Sequence, residues 1–208
     1  MLENKTAIIG YSGHAYVVAE SYMSNGNSLD YYADLREVTY NPFNLEYLGC
    51  EYEETFRGWK MGISFILGIG DNIIRERVGS MFTRNSRYIN NVIHPNSSIS
   101  NYAKLGSGVF VSNGVLINAF SEIGNFVILN TGCIIEHECK IDSAAHIAPG
   151  AVLSGNVKIG KRSFIGANSV IKQGVIIGDD VIIGAGAVVI KDIKNSCTIV
   201  GNPGKLIR

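Results

Sequence analysis

The chain has 208 residues, of which 46% are apolar and 17% are charged, so it has the material for a folded core and is not disordered. Lysine and arginine total 18, as do aspartate and glutamate, and this balance argues against a nucleic-acid or membrane-surface partner. No apolar run is long enough to span a bilayer, the first residues lack a signal-peptide pattern, and the four cysteines form no C-x-x-C pair. We therefore expect a cytoplasmic protein with free thiols and no metal site.

Residues 1–90 predict a small α/β domain. An apolar strand at residues 6–9 is followed by the turn GYSGH and a helical stretch at residues 15–23. A second strand at residues 63–69 leads through Gly-Asp-Asn into another helical stretch that ends near residue 82. This order of strand, glycine turn and helix is typical of a βαβ unit with a parallel sheet, as in Rossmann-like domains.

The glycine turn after the first strand is a candidate anion site. Glycines allow a phosphate to approach the amide hydrogens at a helix N-terminus, where the helix dipole also favours negative charge. The signal is weak by itself, because the third glycine of the dinucleotide fingerprint is missing. A plain structural turn is the alternative.

From residue 93 to residue 189 every sixth residue is Ile, Leu or Val, seventeen times without a break. The residue four places after each of these is small or β-branched, and corner positions are often Gly, Asn or Asp, which tolerate positive φ. A period of six with short strands predicts a parallel β-helix, in which three hexads form one triangular coil of 18 residues. Residues 91–208 are therefore expected to form a prism of between five and six coils, closed by a C-terminal cap.

Two histidines stand out in this repeat. His137 lies between two glutamates at an outward corner position, where it serves no packing purpose, although a solvated polar corner is the alternative. His146 is nine residues further on, which is half a coil, and an ordinary surface histidine is the alternative there. The spacing of 18 places Gly155 one coil beyond His137 and stacks Ala167 under Ala185.

In combination, the turn GYSGH, the motif GIGDN and the Ile-His-Pro that leads into hexads resemble the hexapeptide-repeat acyltransferases, in particular the sialic acid O-acetyltransferases and the nucleotide-amino-sugar N-acetyltransferases of bacillosamine type. The resemblance covers nearly the whole chain. It implies a left-handed winding of the prism, a homotrimer with active sites between subunits, acetyl-CoA as co-substrate and a role in bacterial surface-glycan biosynthesis.

The resemblance also implies roles for individual residues. His137 is expected to be the general base and Glu138 its orienting partner, with direct transfer of the acetyl group. Acetyl-CoA is expected to contact His146, Gly155, Ala167 and Ala185, and the sugar nucleotide Ser12, Gly13, His14, Asp34 and Gly70. Because His146 lies on another side of the prism from His137, it is expected to reach the site from a neighbouring chain.

The sequence separates two acceptors poorly. The first choice is the amino group of a nucleotide-linked 4-amino-4,6-dideoxy sugar, and the alternative is O-acetylation of sialic acid or a related sugar. Where the family often carries paired aspartates, this chain has Ala33-Asp34, so uridine and thymidine stay open as the nucleoside. A β-helical carbonic anhydrase and a non-catalytic scaffold fit less well, because the histidine spacing and the Glu-His-Glu segment argue against them.

Overall fold

The computed structural model describes residues 5–194 and 196–207. The front part of the chain contains four strands, two α-helices and a short 3₁₀ helix at Arg57–Lys60. In chain order, the strands and helices are β1 (Thr6–Ile9), α1 (Gly13–Met23), β2 (Tyr31–Ala33), β3 (Glu46–Tyr47), β4 (Ser64–Leu67) and α2 (Asn72–Arg84).

The four front strands form one parallel sheet in the order β3-β2-β1-β4. The chain crosses from β1 to β2 through α1 in a βαβ unit, and β4, the second of the two predicted strands, lies beside β1 in the parallel sheet that was expected. Strands β2 and β3 were not predicted from the sequence. Both are short, and β2 has only the apolar run Tyr31-Tyr32-Ala33 before a polar residue as its signal.

The hexads form the predicted prism. Its strands, β5 to β21, are two residues long and recur every six residues: Val92–Ile93, Ser98–Ile99, Lys104–Leu105, Phe110–Val111, Leu116–Ile117, Glu122–Ile123, Ile128–Leu129, Ile134–Ile135, Lys140–Ile141, His146–Ile147, Val152–Leu153, Lys158–Ile159, Phe164–Ile165, Val170–Ile171, Ile176–Ile177, Ile182–Ile183 and Val188–Val189. Strands β22 (Thr198–Val200) and β23 (Lys205–Leu206) pair antiparallel as a hairpin on the last coil, where the cap was expected.

Each strand pairs in parallel with the strand 18 residues away, as Glu122 does with Lys140 and Ile123 with Ile141. Fourteen consecutive corners, from Gly108 to Gly186, have a residue with positive φ. Nine of them carry the expected Gly, Asn or Asp. The other five carry other residue types in a conformation that costs a non-glycine residue about 1–2 kcal/mol. They are Phe120, Phe126, Glu138, Ala144 and Arg162.

The inside of the prism is the core that the period of six predicts. Aliphatic residues such as Leu129 and Ile147 alternate with the small residues of the neighbouring column, and both sets are buried. Cys133 and Cys139 belong to the small column, and burial raises the pKa of their thiols to about 12 and about 11. Both thiols are therefore inert core groups at neutral pH, as expected from the sequence.

The three faces of the prism differ in their outward residues. The apolar face (β6, β9, β12, β15, β18 and β21) presents a stack of aliphatic side chains: Leu116, Ile134, Val152, Val170 and Val188. The polar face (β7, β10, β13, β16 and β19) presents Lys104, Glu122, Lys140, Lys158 and Ile176. The docking face (β5, β8, β11, β14, β17, β20, β22 and β23) carries the front sheet and helices.

The front elements pack on the first coils of the docking face. Outward residues Val92, Phe110 and Ile128 are buried in one cluster with residues of β1 and α1. Phe126, at a corner, packs against Gly79 of α2, where a Cβ atom would come within 2.8 Å of the phenylalanine ring. The prediction of a small α/β domain followed by a parallel β-helix is confirmed. In the described part of the chain no helix is long and apolar enough to cross a membrane.

Candidate active site

His137 and Glu138 form a hydrogen-bonded pair at the corner between the apolar and polar faces. The His137 Nδ1–H donates to Glu138 Oε2 at 3.1 Å, and both side chains are more than half exposed. Glu138 adopts positive φ (60°), and Glu136, the other glutamate next to His137, is not the carboxylate that meets the ring. A carboxylate on Nδ1 fixes the tautomer and leaves Nε2 with a lone pair, which is the arrangement of an oriented general base.

The ring of His137 lies across Gly155 of the next coil. A Cβ atom at residue 155 would be 2.5 Å from both Cε1 and Nε2 of His137. Because Gly155 has no side chain, the imidazole of His137 has room to pack against its backbone. The sequence placed Gly155 on the right corner, but it could not tell that the ring itself fills the space.

His146 lies on β14 in the docking face, at a different side of the prism from His137. Its Nε2 accepts from the Asn130 amide at 3.2 Å, because the Asn130 oxygen is already taken by the backbone N–H of Thr131. The proton of the neutral ring is thus on Nδ1, and the ring packs edge-on against Phe164 with centroids 5.0 Å apart.

His14 joins His146 in one cluster. The two ring centroids are 6.3 Å apart, and His14 also packs edge-on against Phe110. Burial, followed by the charge of Arg75, lowers the pKa of His14 to about 4, and the same causes lower that of His146 to about 3. Both imidazoles are therefore neutral at working pH. The His14 Nε2 atom is buried and has no hydrogen-bond partner among the described residues.

Arg75, which was not singled out from the sequence, connects the front helix α2 to the prism. Its side chain is 1% exposed. Its guanidinium donates to the carbonyls of Phe126, Ala144 and Ala145 in the prism and of Ile69 and Gly70 in the front part. Burial lowers the pKa of Arg75 to about 9, so the group stays charged at neutral pH. Its charge adds to the effect of burial in lowering the pKa values of His14 and His146.

A cavity of about 290 Å³ opens at the carboxyl edge of the front sheet. Ser12, Asp34 and Gly70, three of the residues predicted to bind the sugar nucleotide, line it, whereas Gly13 and His14 lie outside its lining. Asp34 accepts from the backbone N–H of Tyr11 at 2.8 Å and from that of Leu35 at 2.7 Å, so it also fixes the β1–α1 turn.

The two front helices differ at their N-termini. Asp71 caps α2 by accepting from the backbone N–H of Ile74, whereas the Ser12 side chain makes no capping bond to α1. The amide hydrogens of the first turn of α1 therefore stay available beside the cavity, and they suit an anion such as a phosphate.

Two of the four predicted acetyl-CoA contacts, Ala167 and Ala185, lie on an edge of the prism that is separate from the His137 edge. Ala167 and Ala185 occupy the corner between the docking and apolar faces, stacked through the bond from Gly186 N–H to the Ala167 carbonyl at 2.8 Å. Arg162 lies at a different corner, between the polar and docking faces, where it pairs with Asp180 at 2.7 Å and with Glu76 at 2.9 Å. Among residues 5–194 and 196–207, no three His, Cys, Asp or Glu side chains are grouped to hold a metal ion.

Comparison with known proteins agrees with this architecture. Two family models match: the PglD N-terminal domain over residues 5–82 and the hexapeptide repeat of succinyl-transferase over residues 156–191. A search of curated proteins by sequence gave no match.

Solved structures match over nearly the whole chain. PerB from Caulobacter crescentus, in complex with CoA and GDP-perosamine, is 33% identical with a TM-score of 0.90, and the match covers 98% of this chain and 97% of that one. Two further structures, also 33% identical, are of a perosamine N-acetyltransferase from Caulobacter crescentus in which one histidine is replaced by asparagine or alanine. The acetyltransferase domain of PglB from Neisseria gonorrhoeae, in complex with acetyl coenzyme A, is 31% identical with a TM-score of 0.91, covering 98% and 99%.

The chain therefore belongs to the acetyl-CoA-dependent sugar N-acetyltransferases of the hexapeptide-repeat type, a family of acyltransferases. Their prism is a left-handed β-helix, and the predicted fold and family are both confirmed. WeeI from Acinetobacter baumannii, at 23% identity and a TM-score of 0.86, shares the fold.

Proposed function

We propose that this protein transfers the acetyl group of acetyl-CoA to the amino group of a nucleotide-linked 4-amino-4,6-dideoxy sugar. The observation that carries the proposal is the His137–Glu138 pair. The imidazole is oriented by the carboxylate of Glu138 and packs against Gly155 at a solvent-exposed corner. The relatives that are 33% identical were solved with CoA and GDP-perosamine, and the PglB domain with acetyl coenzyme A. Guanosine therefore joins uridine and thymidine as a candidate nucleoside.

In the proposed reaction His137 Nε2 accepts a proton from the sugar amine as the amine nitrogen bonds to the carbonyl carbon of the thioester. The C–S bond then breaks, and the imidazolium returns the proton to the departing thiolate. Bound acetyl-CoA supplies the thioester. Glu138 stabilises the imidazolium through Nδ1, and a general base of this kind contributes roughly 10²–10⁴-fold to a rate. No serine or cysteine nucleophile is needed.

His146 suits the carbonyl oxygen of the thioester. Its Nδ1–H is a fixed donor, because Asn130 occupies Nε2, and the ring is neutral because burial and Arg75 lower its pKa. A neutral imidazole donates to an oxyanion without competing for the proton that His137 must take. Ala167 and Ala185 leave the neighbouring corner open for the pantetheine arm, which their backbone groups would bind.

We propose a homotrimer, because one chain does not bring these parts together. The apolar face has His137 along one edge and the Ala167–Ala185 corner along its other edge. Its exposed aliphatic side chains, among them Leu116 (42% exposed) and Val170 (38%), need a partner surface. Three prisms packed through this face would bring the His137 edge of one subunit to the Ala167–Ala185 edge of the next. Residues 1–90 would then hold the sugar nucleotide and residues 91–208 acetyl-CoA.

The test is a CoA-release assay with acetyl-CoA and a panel of acceptors. GDP-, UDP- and dTDP-linked 4-amino-4,6-dideoxy sugars and free sialic acid are each offered to the wild type, to His137→Ala and to His94→Ala. His94 is the matched control, because it is a histidine at the start of the same prism and lies outside the proposed site.

We expect turnover on a nucleotide-linked amino sugar, with a loss of about 10³-fold in His137→Ala and little change in His94→Ala. Turnover on sialic acid alone would replace the proposal with the O-acetyltransferase. An undiminished rate in a folded His137→Ala protein would contradict the role of His137.

A further inference from the structure

Glu51 is a buried carboxylate that the reaction proposed above does not use. It follows β3 at the carboxyl edge of the front sheet, its side chain belongs to a residue that is 5% exposed, and it lines the same cavity as Ser12 and Asp34. Its Oε2 atom is buried and has no hydrogen-bond partner among the described residues. A buried acceptor without a donor costs about 1–3 kcal/mol, so its position against a cavity points to a ligand that donates to it.

The position of Glu51 along the sheet edge indicates which part of a nucleotide it would meet. In the order β3-β2-β1-β4, the open N-terminus of α1 follows β1, Asp34 follows β2, and Glu51 follows β3. Parallel α/β sheets bind ligands at this carboxyl edge, with phosphate at the first glycine turn and the ribose near the acidic residue after the second strand. Glu51 is one strand further from the phosphate turn, roughly 10 Å away, where the base would lie.

The surroundings of Glu51 suit a flat, polar-edged base. Leu35, Tyr52 and Ile74 line the cavity and keep large exposed apolar surfaces. The Arg77 guanidinium lies over the Tyr52 ring at 5.1 Å and donates to its hydroxyl oxygen at 3.0 Å, which makes a planar rim. Aromatic, apolar and guanidinium surfaces of this kind stack on nucleobases.

We propose that Glu51 makes this cavity selective for a guanine nucleotide, because its carboxylate accepts the adjacent N1–H and N2–H donors of guanine. An ionised carboxylate only accepts hydrogen bonds, and guanine is the base that presents two neighbouring donors on one edge. Uracil and thymine present one N3–H between two carbonyl oxygens, which would face the carboxylate with lone pairs. Specificity then comes from repulsion of the wrong base as well as from pairing with the right one. The proposal refines the sugar-nucleotide function above.

Protonation of Glu51 gives an independent signature. Burial, and then the nearby Asp34, raise the pKa of Glu51. The protonated acid has lost one acceptor, so GDP affinity should increase as the pH rises through this raised pKa. UDP affinity should not follow the same course.

The experiment measures dissociation constants of GDP, UDP and dTDP by titration calorimetry, without acetyl-CoA, for the wild type, Glu51→Gln and Glu54→Gln. Glutamine is isosteric and keeps one acceptor but adds a donor, which suits the N3–H and O4 of uracil. Glu54 is the matched control, because it is an exposed glutamate on the same segment and is outside the cavity lining. Thermal unfolding confirms that the variants are folded.

We expect the wild type to prefer GDP, and Glu51→Gln to weaken GDP binding by about 10-fold or more, as for loss of a bidentate base contact. The GDP-to-UDP preference should fall further than GDP affinity alone, with Glu54→Gln unchanged. A wild type that binds UDP or dTDP as tightly as GDP, or a folded Glu51→Gln protein with an unchanged preference, would overturn the proposal.

These outcomes are separate from the test of acetyl transfer. Selective GDP binding without acetylation of any sugar nucleotide would leave the role of Glu51 standing and remove the proposed reaction. Preferential acetylation of a UDP- or dTDP-linked sugar would do the opposite.

Discussion

The apolar and polar faces of the prism have the same backbone, the same register of 18 and the same kind of inward residue. They differ in the outward residue of each strand, which is aliphatic from Leu116 to Val188 on one face and charged from Lys104 to Lys158 on the other. On the charged face Glu122 and Lys140 pair at 3.5 Å. The comparison shows that the fold requires apolar residues at inward positions. The residue types at outward positions depend on whether a face contacts water or another protein surface. His137 lies on the edge that the two faces share.

Changing the apolar face should have the largest effect. Val152→Asp places a carboxylate in the middle of the aliphatic stack, and a buried unpaired charge at a subunit interface is strongly unfavourable. We expect the proposed trimer to dissociate and activity to fall more than about 100-fold, since the proposed site is formed by two subunits. Light scattering after size exclusion, together with the CoA-release assay, measures both.

Lys158→Asp on the polar face is the matched control for this change, because it also places an aspartate at an outward strand position. It should leave the trimer and the activity intact. A wild-type protein that is monomeric, or a Val152→Asp protein that remains an active trimer, would remove the distinction between the two faces.

The shared edge can be tested at Gly155. Gly155→Ala adds a Cβ atom that would lie 2.5 Å from Nε2 of His137, so the imidazole must be displaced from its position over residue 155. A displacement of about 1 Å of a catalytic group can cost about 100-fold, and we expect kcat to fall 10- to 100-fold with the trimer unchanged.

Gln173→Ala changes the same corner one coil further on and serves as the control, because Gln173 is exposed and does not contact the ring. Full activity in a folded Gly155→Ala enzyme would show that the position of His137 over Gly155 is unimportant for the reaction.

The smallest expected effect concerns the two histidines at the docking face, His14 and His146. It is a change in folding stability with pH. The pKa values of His14 and His146 fall to about 4 and about 3 on folding, from a usual value near 6.5. Neutral histidines stabilise the fold above pH 6.5, and this contribution is lost as the pH falls toward the folded pKa values. At pH 5 each histidine should lower the free energy of unfolding by about 1–2 kcal/mol relative to its value at neutral pH.

The measurement is the melting temperature between pH 7.5 and pH 4.5. It should fall in the wild type and fall less in His146→Asn, because asparagine does not ionise. Parallel curves for the two proteins would mean that His146 is not kept neutral by its surroundings.

Much of the prism was determined by the sequence alone. A hexad period of seventeen aliphatic residues has one solution in which every large side chain points inward, so strands, core and the corner position of His137 followed directly. The first strand and the glycine turn before α1 were also predicted correctly, since apolar runs and glycines act locally. The family resemblance implied Glu138 as the partner of His137, and Glu138 is the glutamate that meets the ring. Alternation alone does not separate it from Glu136, since both glutamates are adjacent to His137.

The tertiary structure decided what depends on distant residues. His14 and His146 are 132 positions apart and meet because the front sheet and helices dock on one face of the prism. Arg75 looks like an ordinary helix arginine until its carbonyl partners in the prism are seen. Glu51 is one of many glutamates until burial leaves its oxygen without a donor. Periodicity encodes a residue's own environment, but contacts between separate parts of the chain arise only when their surfaces pack.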